Sequence, residues 1–200
     1  MGSYLNPGNK GFQESLNSEI YVDKTGLIEK TNEVLDTRQK FLCVSRPRRF
    51  GKSMAADMLA AYYERGEDSA ELFERLKISK AESYEKNRNQ YDVIKVNMQE
   101  FLSMTHSMDE MLSMLQKYLI FDLTDHFENV RFRDENNLIQ VMKDIYSKTK
   151  HSFVILIDEW DCLFREYQQD QEAQKKYLDF LRAWLKDKDY VALAYMTGIL

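Results

Sequence analysis

From residue 41 onward the chain alternates two patterns. Short apolar runs at 41–44 (FLCV), 91–97 (YDVIKVN), 153–157 (FVILI) and 190–196 (YVALAYM) read as strands, rich in β-branched and aromatic residues. Between them, apolar residues recur at the three- and four-residue spacing of amphipathic helices. Such stretches cover 52–64 (Met54, Met58, Leu59, Tyr62), 69–77 (Leu72, Phe73, Leu76), 135–148 (Leu138, Val141, Met142, Ile145, Tyr146) and 171–187 (Tyr177, Leu178, Leu181, Trp184, Leu185). Gly66 suits the end of the first of these. The 80–90 stretch reads as a surface connection or a frayed helix.

The longest helical pattern, 99–127, is two helices or one interrupted near 104–109. Ser107 followed by Glu110 has the spacing of a capping box that would restart a helix there. Methionines 104, 108, 111 and 114 fall at helical spacing and are explained by packing. Ahead of residue 41, Asn6-Pro7-Gly8 carries turn chemistry in an entry segment, and 20–25 (IYVDKT) is strand-like. A helix over 26–35 follows, with Thr25 as its N-cap. Residues 1–40 are therefore expected as a segment packed on a core formed by 41–200. Strands alternating with helices imply an α/β fold with a mainly parallel sheet covered by helices. In such sheets ligands bind at the carboxyl ends of the strands.

Two polar motifs fall at those ends. The first run leads into SRPRRFGKS (45–53), and a helical pattern begins at once. Strand, loop, GK[ST], helix is the context of a phosphate-binding loop: helix-start amides face phosphate oxygens, Lys52 reaches the β/γ-phosphates and Ser53 ligates Mg²⁺. The candidate nucleotide-binding set is Arg48, Arg49, Phe50, Gly51, Lys52, Ser53 and Met54. Arg46 stands where the full pattern has its first glycine, and Pro47 removes one amide donor early in the loop. The second motif is Asp158-Glu159 after the continuous apolar run FVILI, which suits a strand buried on both faces. Asp158 is the candidate second contact to Mg²⁺, and Glu159 the candidate general base for water. A carboxylate pair that merely caps the next element is the alternative. Thr197, at the end of the fourth run, is a candidate contact for the γ-phosphate or the attacking water, or else part of a Thr-Gly turn. Asp161 is a supporting carboxylate or a structural one. Asp23 and Lys24 belong to a solvated face or lie near the nucleotide.

Composition narrows the field. The chain has 200 residues and a formal net charge of −5, with no sign of a globally basic nucleic-acid binder. The two cysteines, Cys43 and Cys162, sit in apolar runs and are expected as buried thiols in a reducing compartment. Histidines 106, 126 and 151 are scattered, so no zinc pattern emerges. The start, MGSYLNPGNKGF, has no apolar core for a signal peptide, and no run approaches membrane-spanning length, so a cytoplasmic location is expected.

YVDKT (21–25), SRPRRFGKS (45–53), ILIDEWD (155–161) and AYMTGIL (194–200) together resemble the AAA-ATPase-like family of bacterial and archaeal proteins. The resemblance runs from about residue 11 to the end and covers all four motifs in the family's order. It implies a three-layer P-loop NTPase fold of the type with an additional catalytic glutamate, using ATP and Mg²⁺. It also implies a strand order of 5-1-4-3-2. Family chains run on past TGIL into a fifth strand and often a PD-(D/E)XK nuclease-like domain, so this chain is expected to be C-terminally truncated. By position Lys52 and Ser53 match the nucleotide loop, Asp158 and Glu159 the acidic motif, and Thr197 the polar strand end.

The leading expectation is Mg²⁺-dependent ATP binding and hydrolysis, in a chain that need not turn over alone. The alternatives are a nucleotide-binding switch with negligible turnover, or a nucleic-acid-associated module acting with the missing domain, motivated by Arg46, Arg48 and Arg49. A homo-oligomer is a possible partner state.

Overall fold

A computed structural model describes residues 2–47 and 51–199. In chain order its elements are α1 (Lys10–Leu16), α2 (Gly26–Val34), β1 (Phe41–Ser45), α3 (Lys52–Tyr63), α4 (Ala70–Phe73), a 3₁₀ turn (Lys77–Lys80), α5 (Tyr84–Asn87), β2 (Asp92–Asn97), α6 (Met98–Ser103), α7 (Met108–His126), α8 (Leu138–Thr149), β3 (Phe153–Asp158), α9 (Cys162–Glu166), α10 (Gln171–Leu185) and β4 (Val191–Gly198). The four strands form one sheet in the order β1-β4-β3-β2. Every pairing is parallel. This is the α/β, P-loop-type arrangement that the patterns and the resemblance imply.

Side chains alternate across a strand, so a central strand feeds two cores. All of β3 is buried. Val154 and Leu156 pack with Leu59 and Tyr62 of α3 and Phe12 of α1. Phe153, Ile155 and Ile157 pack on the other face with Leu115 and Leu119 of α7, Val141 of α8 and Trp184 of α10. Helices therefore cover both faces, giving three layers.

Helix starts follow local chemistry. Asn97, Ser107, Asn137 and Asp170 each accept a hydrogen bond from an amide in the first turn of α6, α7, α8 and α10 respectively. Glu110 completes the box at α7 by accepting from His106 N at 2.9 Å, one residue before the expected partner.

Several expectations are corrected. Residues 20–25 form no strand: Ile20 and Val22 are 81% and 64% exposed, and no neighbouring strand is there to pair with them among the described residues. The entry segment contains α1, fewer than two turns long, held by buried Phe12 and Ser15. Thr25 precedes α2 but does not cap it with its side chain. Its hydroxyl donates instead to Asp23 Oδ1 at 2.6 Å and accepts from Ile78 N at 3.2 Å. The helix expected over 69–77 is a single turn, α4, followed by the 3₁₀ turn. Helix α3 ends through Glu64 in extended conformation rather than at Gly66. Cys43 is exposed, because β1 is an edge strand, whereas Cys162 is buried.

Residues 2–6 lie along β2. Leu5 bridges Ile94 in antiparallel sense. Lys95 N donates to Tyr4 O at 2.9 Å, and Asn6 N to Val93 O at 2.8 Å. Among the described residues no helix is long and apolar enough to cross a membrane.

Candidate functional site

The carboxyl ends of the parallel strands converge on one cleft. Past β1, Arg46 N donates to Gly198 O at 3.1 Å, so the chain keeps register with β4 as it enters the loop. Gly51 then turns left-handed, at φ 72°, and starts α3 without any side-chain cap. Glycine adopts that conformation freely, whereas an L side chain there would be strained. A Cβ at Gly51 would also stand 3.0 Å from Lys24 Nζ. Gly51 therefore offers the first-turn amides of α3 no side-chain acceptor at this positive helix end.

Lys52 is buried at the first helical position. Its ammonium donates to Arg46 O at 2.9 Å and Pro47 O at 3.1 Å, holding the loop over the helix start. Arg48, Arg49 and Phe50, expected here, lie outside the described residues. Met54 is present on the cleft wall and partly exposed.

Ser53 Oγ donates to Asp158 Oδ2 at 2.6 Å, across a separation of 105 residues. Asp158 ends β3 and is buried. Its other oxygen accepts from Thr197 Oγ1 and, at 3.0 Å, from Glu159 N. One carboxylate thus ties together α3, β3 and β4. A serine hydroxyl that gives its proton to Asp158 keeps lone pairs for a hard cation, and the carboxylate supplies charge nearby. The pair therefore fits Mg²⁺. Among the described residues no group of three or more His, Cys, Asp or Glu side chains is arranged to hold a metal. A cation here would draw its remaining ligands from phosphate oxygens and water, as Mg²⁺ commonly does.

Thr197, the candidate contact for the γ-phosphate or the attacking water, stands near the end of β4 beside Asp158. It is buried, and its hydroxyl serves Asp158. Thr197-Gly198 is not a turn, since both residues belong to β4. Gly198 is required by close approach: a Cβ there would meet the Asp161 carboxylate at 2.7–2.9 Å. Asp161 is fully buried and accepts from Ile199 N at 2.6 Å, which anchors the end of β4.

Glu159 has φ 52°, left-handed for a residue with a side chain. Such backbone strain concentrates at functional sites. Its carboxylate accepts from Arg165 Nη2 at 2.5 Å, while Arg165 Nη1 donates to Asp161 Oδ1 at 2.8 Å. Glu159, Arg165, Lys52 and Ser53 line a cleft of about 680 Å³, with Asn97 and Gln99 on its far wall. The sequence reading missed Arg165, Asn97 and Gln99. Asn97 pairs in register with Asp158, so the strand-end rule applied to β2 points to it. For Arg165 the signal was its i,i+4 spacing from Asp161.

A second cleft, about 310 Å³, opens beside the first and shares Gly51 and Met54 with it. Phe12, Ile20, Tyr21 and Val22 give it an apolar lining, and Lys24 lies at its edge. Asp23 turns away. Burial alone would raise its carboxyl, but hydrogen bonds from the Thr25 hydroxyl and the Lys77 and Thr25 amides outweigh that and hold it below its ordinary value.

A model of the AAA-ATPase-like family, described as "Predicted AAA-ATPase", matches residues 8–200. The chain belongs to the AAA-ATPase-like family. No curated protein matches the chain. Among solved structures, the crystal structure of Cdc6p from Pyrobaculum aerophilum is similar at 12% identity and a TM-score of 0.37, over 95% of this chain and 42% of that one. The chain thus spans less than half of that protein's length, and the likeness is too slight to assign anything to this member of the family.

Proposed function

We propose that this chain binds ATP with Mg²⁺ across the ends of β1, β3 and β4 and hydrolyses it. The observation that carries the reading is the Ser53–Asp158 hydrogen bond at 2.6 Å, which joins the loop after β1 to the acidic end of β3. Lys52 already holds an ammonium at the loop with two carbonyl partners, and phosphate oxygens are stronger acceptors for it. The amides at the start of α3 supply further donors. The apolar cleft continuous with the phosphate cleft suits a nucleobase, with Ile20, Val22 and Met54 exposed for contact with its face. Ser53 and Asp158 would hold Mg²⁺, which neutralises charge developing on the phosphate oxygens. Glu159 would take a proton from the attacking water at its carboxylate, and Thr197 would keep Asp158 oriented.

The test is ATP binding and phosphate release by the purified chain and two variants. Lys52→Ala is expected to weaken ATP binding by roughly tenfold or more, from loss of a charge-assisted contact. Glu159→Gln is expected to retain binding and to lower turnover by roughly a hundredfold or more. Equal turnover in wild type and Glu159→Gln would remove the general-base role. Unchanged ATP affinity in Lys52→Ala would remove the loop assignment.

A second reading, a nucleotide switch with negligible turnover, is favoured by one observation. Glu159 is engaged by Arg165 rather than open to water. Tight ATP binding without measurable phosphate release selects it.

A further inference from the structure

Arg165 has no part in the roles assigned above, yet it lies in the same cleft. Its side chain is 21% exposed and lines the wall with Lys52, Ser53 and Glu159. It makes two ion pairs of different character. Nη1 reaches Asp161, a fully buried carboxylate fixed by Ile199 N. Nη2 reaches Glu159, a partly exposed carboxylate on a strained left-handed residue. The first pair is built into the end of β4, and the second faces the cleft.

A guanidinium is a planar fork, so one arm can stay on Asp161 while the other changes partner. The terminal phosphate of a nucleoside triphosphate presents several oxygens and more charge than a single carboxylate, making it a strong competitor for that arm. While Nη2 is on Glu159, the ion pair stabilises the charged carboxylate and makes it a weaker base toward water.

Building on the ATP-binding reading, we infer that Arg165 is a positioning residue that exchanges between Glu159 and the terminal phosphate of the bound nucleotide, releasing the Glu159 carboxylate only when a triphosphate fills the cleft. Asp161 is the pivot. The arrangement would couple availability of the base to the presence of a γ-phosphate.

Five chains test this by equilibrium binding of ATP and ADP: wild type, Arg165→Ala, Arg165→Lys, Glu159→Gln and the Arg165→Ala/Glu159→Gln double variant. Arg165→Ala should weaken ATP roughly tenfold and leave ADP within about twofold, since only ATP offers the γ-phosphate. Glu159→Gln should tighten ATP several-fold in wild type by freeing the guanidinium from its competing carboxylate. That gain should vanish in the Arg165→Ala background. Arg165→Lys, which keeps the charge but lacks the fork, should recover part of the ATP preference, and it carries the comparison if thermal melting shows Arg165→Ala to be unfolded. Equal losses for ATP and ADP would make Arg165 structural and overturn the inference. So would a Glu159→Gln gain of equal size without Arg165, because charge removal alone would then explain it. Failure of wild type to bind either nucleotide would defeat the ATP reading and this inference together. ATP binding that depends on Lys52 but not on Arg165 would defeat this inference alone.

Discussion

The two edges of the sheet are finished in opposite ways. At the β2 edge, residues 2–6 run alongside the strand and take up its outer hydrogen-bonding groups. Tyr4 O accepts from Lys95 N, Asn6 N donates to Val93 O, and Val93 N donates to Asn6 Oδ1 at 2.8 Å. Asp122 of α7 clamps this segment by accepting from Tyr4 N at 2.7 Å and Leu5 N at 3.2 Å. At the β1 edge, the strand pairs only with β4 among the described residues, and Phe41, Cys43 and Ser45 are exposed in alternation with half-buried Leu42 and Val44. An uncovered edge is a template for pairing and is normally managed by charge, bulges or cover. Among the described residues nothing covers the edge that carries the phosphate loop, while residues 2–6 cover the opposite one.

If closure of the β2 edge depends on the clamp, Asp122→Ala should have the largest effect. It leaves two amides without an acceptor, that of Leu5 in a buried residue, and each such loss costs about 1–3 kcal/mol. Urea unfolding should show a loss of about 3 kcal/mol. The comparison breaks if Phe41→Ala, at the open edge and 40% exposed, costs as much.

A smaller effect is expected at Asn6. It sits at φ 50° and replaces a strand partner with its own side chain, Oδ1 accepting from Val93 N and Nδ2 donating to Asp92 Oδ1 at 3.0 Å. Asn6→Ala should destabilise by about 2 kcal/mol, combining lost hydrogen bonds with left-handed strain. Asn6→Gly relieves the strain but not the lost bonds, and should lie about 1 kcal/mol above Asn6→Ala. Equal unfolding midpoints for the two variants would show that the backbone conformation there contributes nothing.

What the sequence disclosed depends on how local each signal is. The strands at 91–97, 153–157 and 190–196 were legible because apolar continuity survives without knowledge of neighbours. The meeting of Ser53 with Asp158 was legible because both motifs follow strands in a parallel sheet. By contrast, residues 2–6 read only as an entry segment with a turn: their role lies in backbone groups and in Asp122, more than a hundred residues away. The strand expected at 20–25 failed because β-branched residues mark a strand only when a partner is present, and Ile20 and Val22 face outward. Arg165 sits in a five-residue helix with no readable period, and its pairing with Glu159 requires the left-handed turn at that residue. Cys43 was misjudged because an apolar run does not say how many elements cover it.

That last residue gives the mildest probe of the comparison. Burial raises the Cys43 thiol above its ordinary value, with a hydrogen bond from Trp160 opposing and Asp161 adding to the rise. Cys162 is pushed up to about 12, chiefly by burial. Only the thiolate reacts with a maleimide or a disulfide reagent, so both should be slow at neutral pH. The labelling rate of Cys43 should climb as pH rises past 9, and Cys162 should react only as the fold opens. Cys43→Ser should remove the fast phase and change stability by less than about 0.5 kcal/mol, as expected of an exposed edge position. Equal rates for the two thiols would mean that α9 opens as easily as β1, erasing the contrast between interior and uncovered edge. Protection of Cys43 at high chain concentration, with Cys162 unchanged, would show the open edge being covered by another chain.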